Sequence, residues 1–118
     1  DWGVRFFPMR SVARSGVAPA IAAVEPGADV LLCFDWDAMD PSLMPAVIAR
    51  TPGGLDYWSA FELIAGVAEK ARIAGICFAE FMPDQDIDGQ GARLAAQLVG
   101  ASLGLVARTA GRVYQAPE

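Results

Sequence analysis

The chain has 118 residues, with nine basic and fourteen acidic side chains, no histidine and a net charge of -5. This length corresponds to one domain, and the acidic balance argues against nucleic acid or an anionic membrane as a partner. With 54% hydrophobic and 19% charged residues the chain is too apolar to be disordered. Its longest charge-free run, residues 94–107, is too short to span a bilayer.

The two cysteines and the first residues indicate a cytoplasmic protein. Cys33 and Cys77 lie inside apolar runs, so we predict that they are reduced core residues. The chain starts without the apolar segment of a secretory signal. Because a chain of this size buries only part of its surface, its high apolar content predicts that some faces lie against further chain or a partner.

The first third of the chain predicts short elements followed by one buried strand. Residues 3–7 have the composition of a short strand, and residues 12–24 predict one or two short helices interrupted at Gly16 and Pro19. Residues 30–34 form a continuous apolar run, which is typical of a strand that is buried on both faces.

The middle of the chain predicts a long loop and an amphipathic helix. Residues 42–55 are rich in proline and glycine, and Asp56 stands where it can cap a helix. The helix places Trp58 and Phe61 on its core side and leaves its charged residues in solvent; these are Glu62, Glu69 and Lys70.

The last third predicts a second strand and a final helix. Gly75 breaks the preceding helix near a strand at residues 73–79, and a last helix covers residues 90–107, with Asp86 or Asp88 as its cap. The order strand, loop, helix, strand is a βαβ unit with parallel strands, so the predicted fold class is α/β.

Both predicted strands end in acidic residues. Functional groups gather at the carboxyl ends of parallel strands, and Asp35, Asp37 and Glu80 occupy those ends. In extended backbone Asp35 and Asp37 point to one side and Trp36 to the other. Two converging carboxylates are stabilised by a divalent cation. The residues alone leave open whether this pair binds a metal or only caps a turn.

Three ordered segments resemble one known family. Phe34 to Pro41 reads FDWDAMDP, Arg50 to Leu55 reads RTPGGL, and Ala79 to Pro83 reads AEFMP. They resemble the FDxDxxDP, GTP with GGL, and ExxP motifs of the ureohydrolases, which include arginase and agmatinase. The resemblance covers nearly the whole chain and is weakest in its first 30 residues. It implies that residues 1–118 are the C-terminal part of a single domain, a three-layer α/β/α arginase-like fold with two manganese ions at the carboxyl edge of its sheet.

The resemblance also implies roles for individual residues. Asp35 and Asp37 match metal ligands, and Asp37 is predicted to be catalytic as well; such oxygen donors suit Mn²⁺. Glu80 matches the residue that pairs with the substrate guanidinium, and Thr51 matches a threonine that lines the site. We expect Asp40 to fix the turn before Pro41 rather than to bind metal.

The chain departs from the family pattern in three respects. The family's remaining metal ligands, including histidines, lie in upstream segments, whereas this sequence contains no histidine; the 118 residues alone are therefore not expected to catalyse hydrolysis. Arg50 stands where the family usually has glycine, and we expect it to be exposed rather than bound to substrate. Residues 44–47 replace the usual proline-glycine-threonine.

The expected function is manganese-dependent hydrolysis of a guanidino compound to urea and an amine. Agmatine or a guanidino acid is a better candidate than arginine, and the family usually assembles as homotrimers or hexamers. Two alternatives remain open. One is a catalytically inactive ureohydrolase-like remnant that serves as an assembly or interaction module, and the other is a zinc deacetylase of the same architecture.

Overall fold

The computed structural model describes residues 2–110. Within this range the chain forms four helices, two strands and two short 3₁₀ turns. In chain order they are α1 (Met9–Ser15), α2 (Ala18–Ala22), β1 (Asp29–Asp35), a first 3₁₀ turn (Trp36–Ala38), α3 (Tyr57–Lys70), β2 (Arg72–Ala79), a second 3₁₀ turn (Pro83–Gln85) and α4 (Gln90–Thr109). The predicted α/β class and the order of the main elements are confirmed.

The two strands pair in parallel, as the βαβ pattern predicts. Their register shifts between Val30 and Leu31, and Leu31 lies opposite Gly75. The prediction that Gly75 breaks the helix is wrong, because α3 ends at Lys70 and Gly75 lies inside β2. A Cβ atom at Gly75 would sit 3.0 Å from Leu31 Cδ1, so glycine leaves room for the Leu31 side chain at this irregularity.

One face of the strand pair packs against the helices. Phe34 and Phe78 pack beside Trp36, whose ring stacks on Phe78 with centroids 5.2 Å apart. Ile64 of α3 and Leu98 of α4 are fully buried in the same core. Apolar residues that recur every three or four positions give α3 and α4 one buried face each.

The other face of the strand pair is open within residues 2–110. Leu31 is 75% exposed, and Cys33 and Cys77 are exposed register partners with free thiols. The prediction that the cysteines are core residues is therefore wrong for the described chain, although they are unpaired as expected. The neighbouring Cys77 thiol, through hydrogen bonding, raises the pKa of Cys33. The apolar run of β1 predicts two covered faces, and the described chain covers one.

The segment before β1 is largely as predicted, apart from its first residues. Residues 2–8 form no strand, so the predicted short strand at residues 3–7 is wrong. Gly16, with φ of 70°, separates α1 from α2 as expected. Pro19 does not interrupt a helix; it lies in the first turn of α2, where a missing backbone N–H costs nothing.

Helix α3 begins as predicted, but two of its residues do not lie where the periodicity places them. The Asp56 carboxylate caps the helix by accepting a hydrogen bond from the Ser59 amide at 2.7 Å. Trp58 is 68% exposed rather than part of the core, whereas Phe61 is half-buried and packs against the core as predicted. Lys70 does not extend freely into solvent, because its ammonium group donates to two carbonyls at the end of α2.

Helix α4 confirms the predicted final helix; its N-cap residue is Gly89, and the Asp86 carboxylate binds the amides of its first turn. Asp86 accepts hydrogen bonds from the Gly91 and Ala92 amides at 2.7 and 3.0 Å, whereas Asp88 has left-handed backbone. The pKa of Asp86 is lowered, because these bonds outweigh the opposing effect of burial. In the described part of the chain, none of the helices has both the length and the hydropathy needed to cross a bilayer.

Candidate functional site

The carboxyl ends of the two strands bring predicted site residues to one edge of the sheet. Asp35 is the last residue of β1 and pairs with Ala79, which closes β2. Glu80 follows Ala79 directly. Asp35 and Glu80 are both exposed at this edge. The parallel register thus places the predicted metal ligand and the predicted substrate ligand on adjacent chain segments.

Asp37 is positioned by a tight turn rather than by the strand. β1 ends at Asp35, and Trp36–Ala38 form a 3₁₀ turn. The strand alternation from which we predicted that Asp35 and Asp37 point the same way therefore stops before Asp37. Trp36 is 3% exposed and faces the core, while Asp37 is half-buried. The common role of the two aspartates as metal ligands stays a prediction.

Asp35, Asp37 and Glu80, which we call the strand-end carboxylates, have no hydrogen-bond or ion-pair partner among residues 2–110. Some surface acids far from this edge, such as Glu62, are also unpaired. The position of the strand-end carboxylates distinguishes them, because Asp35 ends β1, Asp37 lies two residues beyond it, and Glu80 follows β2 at the same edge. Their oxygen atoms are free to bind a cation or a cationic group.

Glu80 has an unusual backbone conformation for its residue type. Its φ is 62°, in the left-handed region, where a side chain beyond Cβ is disfavoured. Asp88 shares this region in the described chain, but aspartate tolerates it better than glutamate does. Strained backbone is often retained at functional sites. The strain thus draws attention to the residue that the motif assigns to the substrate.

Asp40 fixes the turn after β1, as predicted. Its carboxylate accepts hydrogen bonds from the Ser42 hydroxyl at 2.6 Å, the Ser42 amide at 3.0 Å and the Gly53 amide at 2.8 Å. These bonds, that from the Ser42 hydroxyl foremost, lower the pKa of Asp40. The carboxylate is thus occupied with holding the backbone and has little capacity left for a metal.

The loop that carries Thr51 is fastened to the segment that follows Asp37. Leu55 forms an isolated bridge with Met39, and its amide donates to the Ala38 carbonyl at 2.9 Å. Gly54 packs so closely that a Cβ atom there would lie 2.4 Å from the Met39 carbonyl carbon. Thr51 itself is exposed. Gly54, the second glycine of the GGL motif, is therefore needed for the close approach of two loop backbones.

Arg50 is exposed as predicted, but its guanidinium is not free. Nε donates to the Pro45 carbonyl at 2.9 Å, and Nη2 donates to the Gln85 carbonyl at 2.6 Å. The sequence predicted only exposure for this residue. The sequence showed that Arg50 replaces the usual glycine of the family. This replacement did not reveal which groups Arg50 contacts.

The predicted metal ligands do not form a complete metal site within residues 2–110. Asp35 and Asp37 offer oxygen donors that suit Mn²⁺. No group of three or more histidine, cysteine or acidic side chains is arranged to hold a metal within residues 2–110, and the sequence has no histidine. An open cleft of about 610 Å³ lies between α1 and the 40–55 loop, but the strand-end carboxylates and Thr51 do not line it.

Comparison with known proteins identifies the family to which this chain belongs. Residues 1–104 match the Arginase family. The chain therefore belongs to the arginase family, as the three motifs indicate.

Three known proteins illustrate the similarity. The N(1)-aminopropylagmatine ureohydrolase of Thermus thermophilus is 35% identical over 109 residues, which are 92% of this chain and 36% of that protein. The formimidoylglutamase of Chromobacterium violaceum is 41% identical over 70 residues, 58% of this chain and 22% of that protein. The solved agmatine ureohydrolase of Thermoplasma volcanium aligns with a TM-score of 0.80 and 28% identity, covering 92% of this chain and 36% of that one.

These similarities confirm the arginase-like α/β fold. The matches cover 92% of this chain, but the chain spans little more than a third of the length of these relatives.

Proposed function

We propose that the chain is part of a manganese-dependent hydrolase that cleaves a guanidino compound to urea and an amine. The observation that carries this proposal is the set of three strand-end carboxylates at one sheet edge, without partners in the described chain, in a member of the arginase family. The 118 residues alone are expected to be inactive, because they offer too few metal ligands for a two-metal site.

In this proposal Asp35 and Asp37 each donate carboxylate oxygens to manganese, and Asp37 is in addition essential for turnover. The bound metal supplies the electrostatic stabilisation and the water activation that hydrolysis of an amidine carbon requires. The chain positions the two carboxylates by different means, one at a strand end and one in a 3₁₀ turn. Further ligands would come from outside these 118 residues.

Glu80 would bind the substrate guanidinium. A carboxylate can accept two parallel N–H donors from a planar guanidinium, which fixes both position and orientation. The left-handed backbone of Glu80 turns the chain sharply after β2, and this conformation would hold the side chain at the sheet edge. Thr51, on the loop fastened beside the Asp37 turn, would line the substrate position.

The proposed substrate is agmatine or a guanidino acid, ahead of arginine. Two relatives are named as ureohydrolases of agmatine or of an aminopropylated agmatine, which supports the agmatine part of this proposal. The formimidoylglutamase shows that the family extends to other amidine substrates. A cytoplasmic location and a homotrimeric or hexameric assembly are further parts of the proposal.

The test is urea release by the complete natural protein loaded with manganese. The substrate panel contains agmatine, an aminopropylated agmatine, a guanidino acid, arginine and a formimidoyl amino acid, the last assayed for loss of substrate. We expect urea from agmatine or from the guanidino acid, and none after chelation of the metal. Retained zinc with activity on an acetylated amine would support the deacetylase alternative. Absence of bound metal and of all activity would support a non-catalytic assembly module.

A further inference from the structure

The 40–55 loop is joined to the segment that follows Glu80 by contacts that lie outside the strand ladder. The Met82 amide donates to the Ala46 carbonyl at 2.7 Å. The Gln90 side chain donates to the Ser42 carbonyl at 2.6 Å. These two hydrogen bonds come from either end of the 82–90 segment, so the loop is held alongside the whole segment.

Arg50 also connects these two segments. Its Nε holds the Pro45 carbonyl within the loop, while its Nη2 holds the Gln85 carbonyl in the second 3₁₀ turn. A planar guanidinium directs both bonds from one rigid group, which a lysine ammonium cannot do. Among residues 2–110 no carboxylate forms an ion pair with Arg50. Its role in this structure is thus to connect backbone segments and not to neutralise an acid.

The two segments that Arg50 joins each carry a residue of the proposed substrate site. Thr51 follows Arg50 directly, and Gln85 lies five residues beyond Glu80. Met82, whose amide donates to the Ala46 carbonyl, lies between Glu80 and Gln85 in the sequence. Movement of the loop relative to the second 3₁₀ turn would therefore change the separation of Thr51 and Glu80.

We propose that Arg50 is a positioning residue that sets the distance between Thr51 and Glu80. This inference rests on the proposed function for its catalytic consequence, but its structural part stands alone. Asp35 is held by the strand ladder, and the turn that carries Asp37 is fastened by the Leu55 amide, which donates to the Ala38 carbonyl. Loss of Arg50 should therefore disturb substrate binding and leave the metal ligands in place.

The experiment compares Arg50→Ala and Arg50→Lys with Arg108→Ala in the complete natural protein. Arg108 is an exposed arginine whose nearest acidic group, Glu69, is 3.8 Å away, so its removal controls for the loss of one positive charge. We expect Arg50→Ala to raise KM by about 10- to 100-fold, since small displacements of positioning groups have effects of this order. The value of kcat should change less than KM, manganese affinity should be unchanged, and Arg50→Lys should recover only part of the loss.

Hydrogen exchange read by mass spectrometry separates this inference from the proposed function. Arg50→Ala should accelerate exchange in peptides that cover residues 44–55 and 80–86, while a peptide from the middle of α3 keeps its wild-type rate. Unchanged exchange in the first two peptides would overturn the inference, whatever the activity. So would a uniform loss of manganese affinity, kcat and exchange protection, which marks general unfolding. Absence of activity in the wild type with the expected exchange pattern would count against the proposed function alone.

Discussion

Two groups of acidic residues in this chain differ in what their carboxylates contact. Asp40, Asp56 and Asp86, which we call the loop-fixing carboxylates, accept hydrogen bonds from backbone amides and close a turn or cap a helix. Those bonds lower the pKa of all three. The strand-end carboxylates have no such partners in the described chain. The loop-fixing carboxylates therefore stabilise the fold, whereas the strand-end carboxylates are available for binding.

This difference leads to opposite expectations for mutation. Removal of a loop-fixing carboxylate should lower stability, because amide groups that it satisfied lose their acceptor. Removal of a strand-end carboxylate should leave stability nearly unchanged, since surface substitutions without partners usually alter it little. Activity should fall more when a strand-end carboxylate is removed than when a loop-fixing carboxylate is removed.

The largest effect is expected for Asp37→Asn in the complete natural protein. Loss of a metal-ligand carboxylate should reduce kcat/KM by at least about 1,000-fold, because it removes transition-state stabilisation that the metal supplies. Steady-state urea assays with manganese provide the measurement, and Asp84→Asn, an exposed acid of the second 3₁₀ turn, is the matched control. Activity within a few-fold of wild type would remove Asp37 from the catalytic site.

Glu80→Gln should have the next largest effect, by a different route. The amide keeps the shape of the side chain but loses the charge and one acceptor that a guanidinium requires, so kcat/KM should fall about 100-fold. Manganese content should stay at the wild-type level. Glu62→Gln on the outer side of α3 is the control. Normal kinetics in Glu80→Gln would end its assignment as the guanidinium ligand.

Asp40→Asn tests the loop-fixing group through the pH dependence of stability. The folded-state pKa of Asp40 lies below its ordinary value of 3.8, so its stabilising contribution is present above about pH 4 and is lost as pH falls through the lowered value. The variant should have a lower urea midpoint at pH 7 and a shallower loss of stability between pH 4 and pH 2. If Asp40→Asn and wild type respond to acid in parallel, Asp40 does not contribute in the way described.

Asp56→Ala should give the smallest change. Loss of the hydrogen bond from the Ser59 amide removes the cap of α3, which typically costs about 1 kcal/mol. Urea unfolding measures this directly, and Asp56→Asn, which keeps an oxygen acceptor, should restore most of the loss. Equal stability of Asp56→Ala and wild type would show that other groups satisfy the first turn.

The sequence predicted the parts of the fold that depend on local pattern. β1, α3, β2 and α4 are all present, because apolar periodicity and capping residues act within a few positions. The Asp56 cap and the Asp40 turn are confirmed for the same reason. Gly75 was misplaced, because a register shift depends on the neighbouring strand and not on the glycine's own segment.

Features that depend on distant contacts were not predictable in this way. The exposure of Cys33, Cys77 and Trp58 depends on what covers their faces, and no local pattern encodes that. The contacts of Arg50 and Lys70 join segments that are 35 and 48 residues apart. The site residues were identified by motif resemblance; the structure adds that Asp35 and Glu80 share an edge and that a 3₁₀ turn positions Asp37.

Manganese titration of the complete natural protein, monitored by calorimetry, measures whether Asp35 and Asp37 bind the metal. We expect two tightly bound ions per chain in wild type and in Asp84→Asn, and loss of tight binding in the Asp35→Asn, Asp37→Asn double variant with unchanged thermal stability of the metal-free protein. Equal binding of manganese by wild type and the double variant would contradict the assignment of the strand-end carboxylates as the metal site.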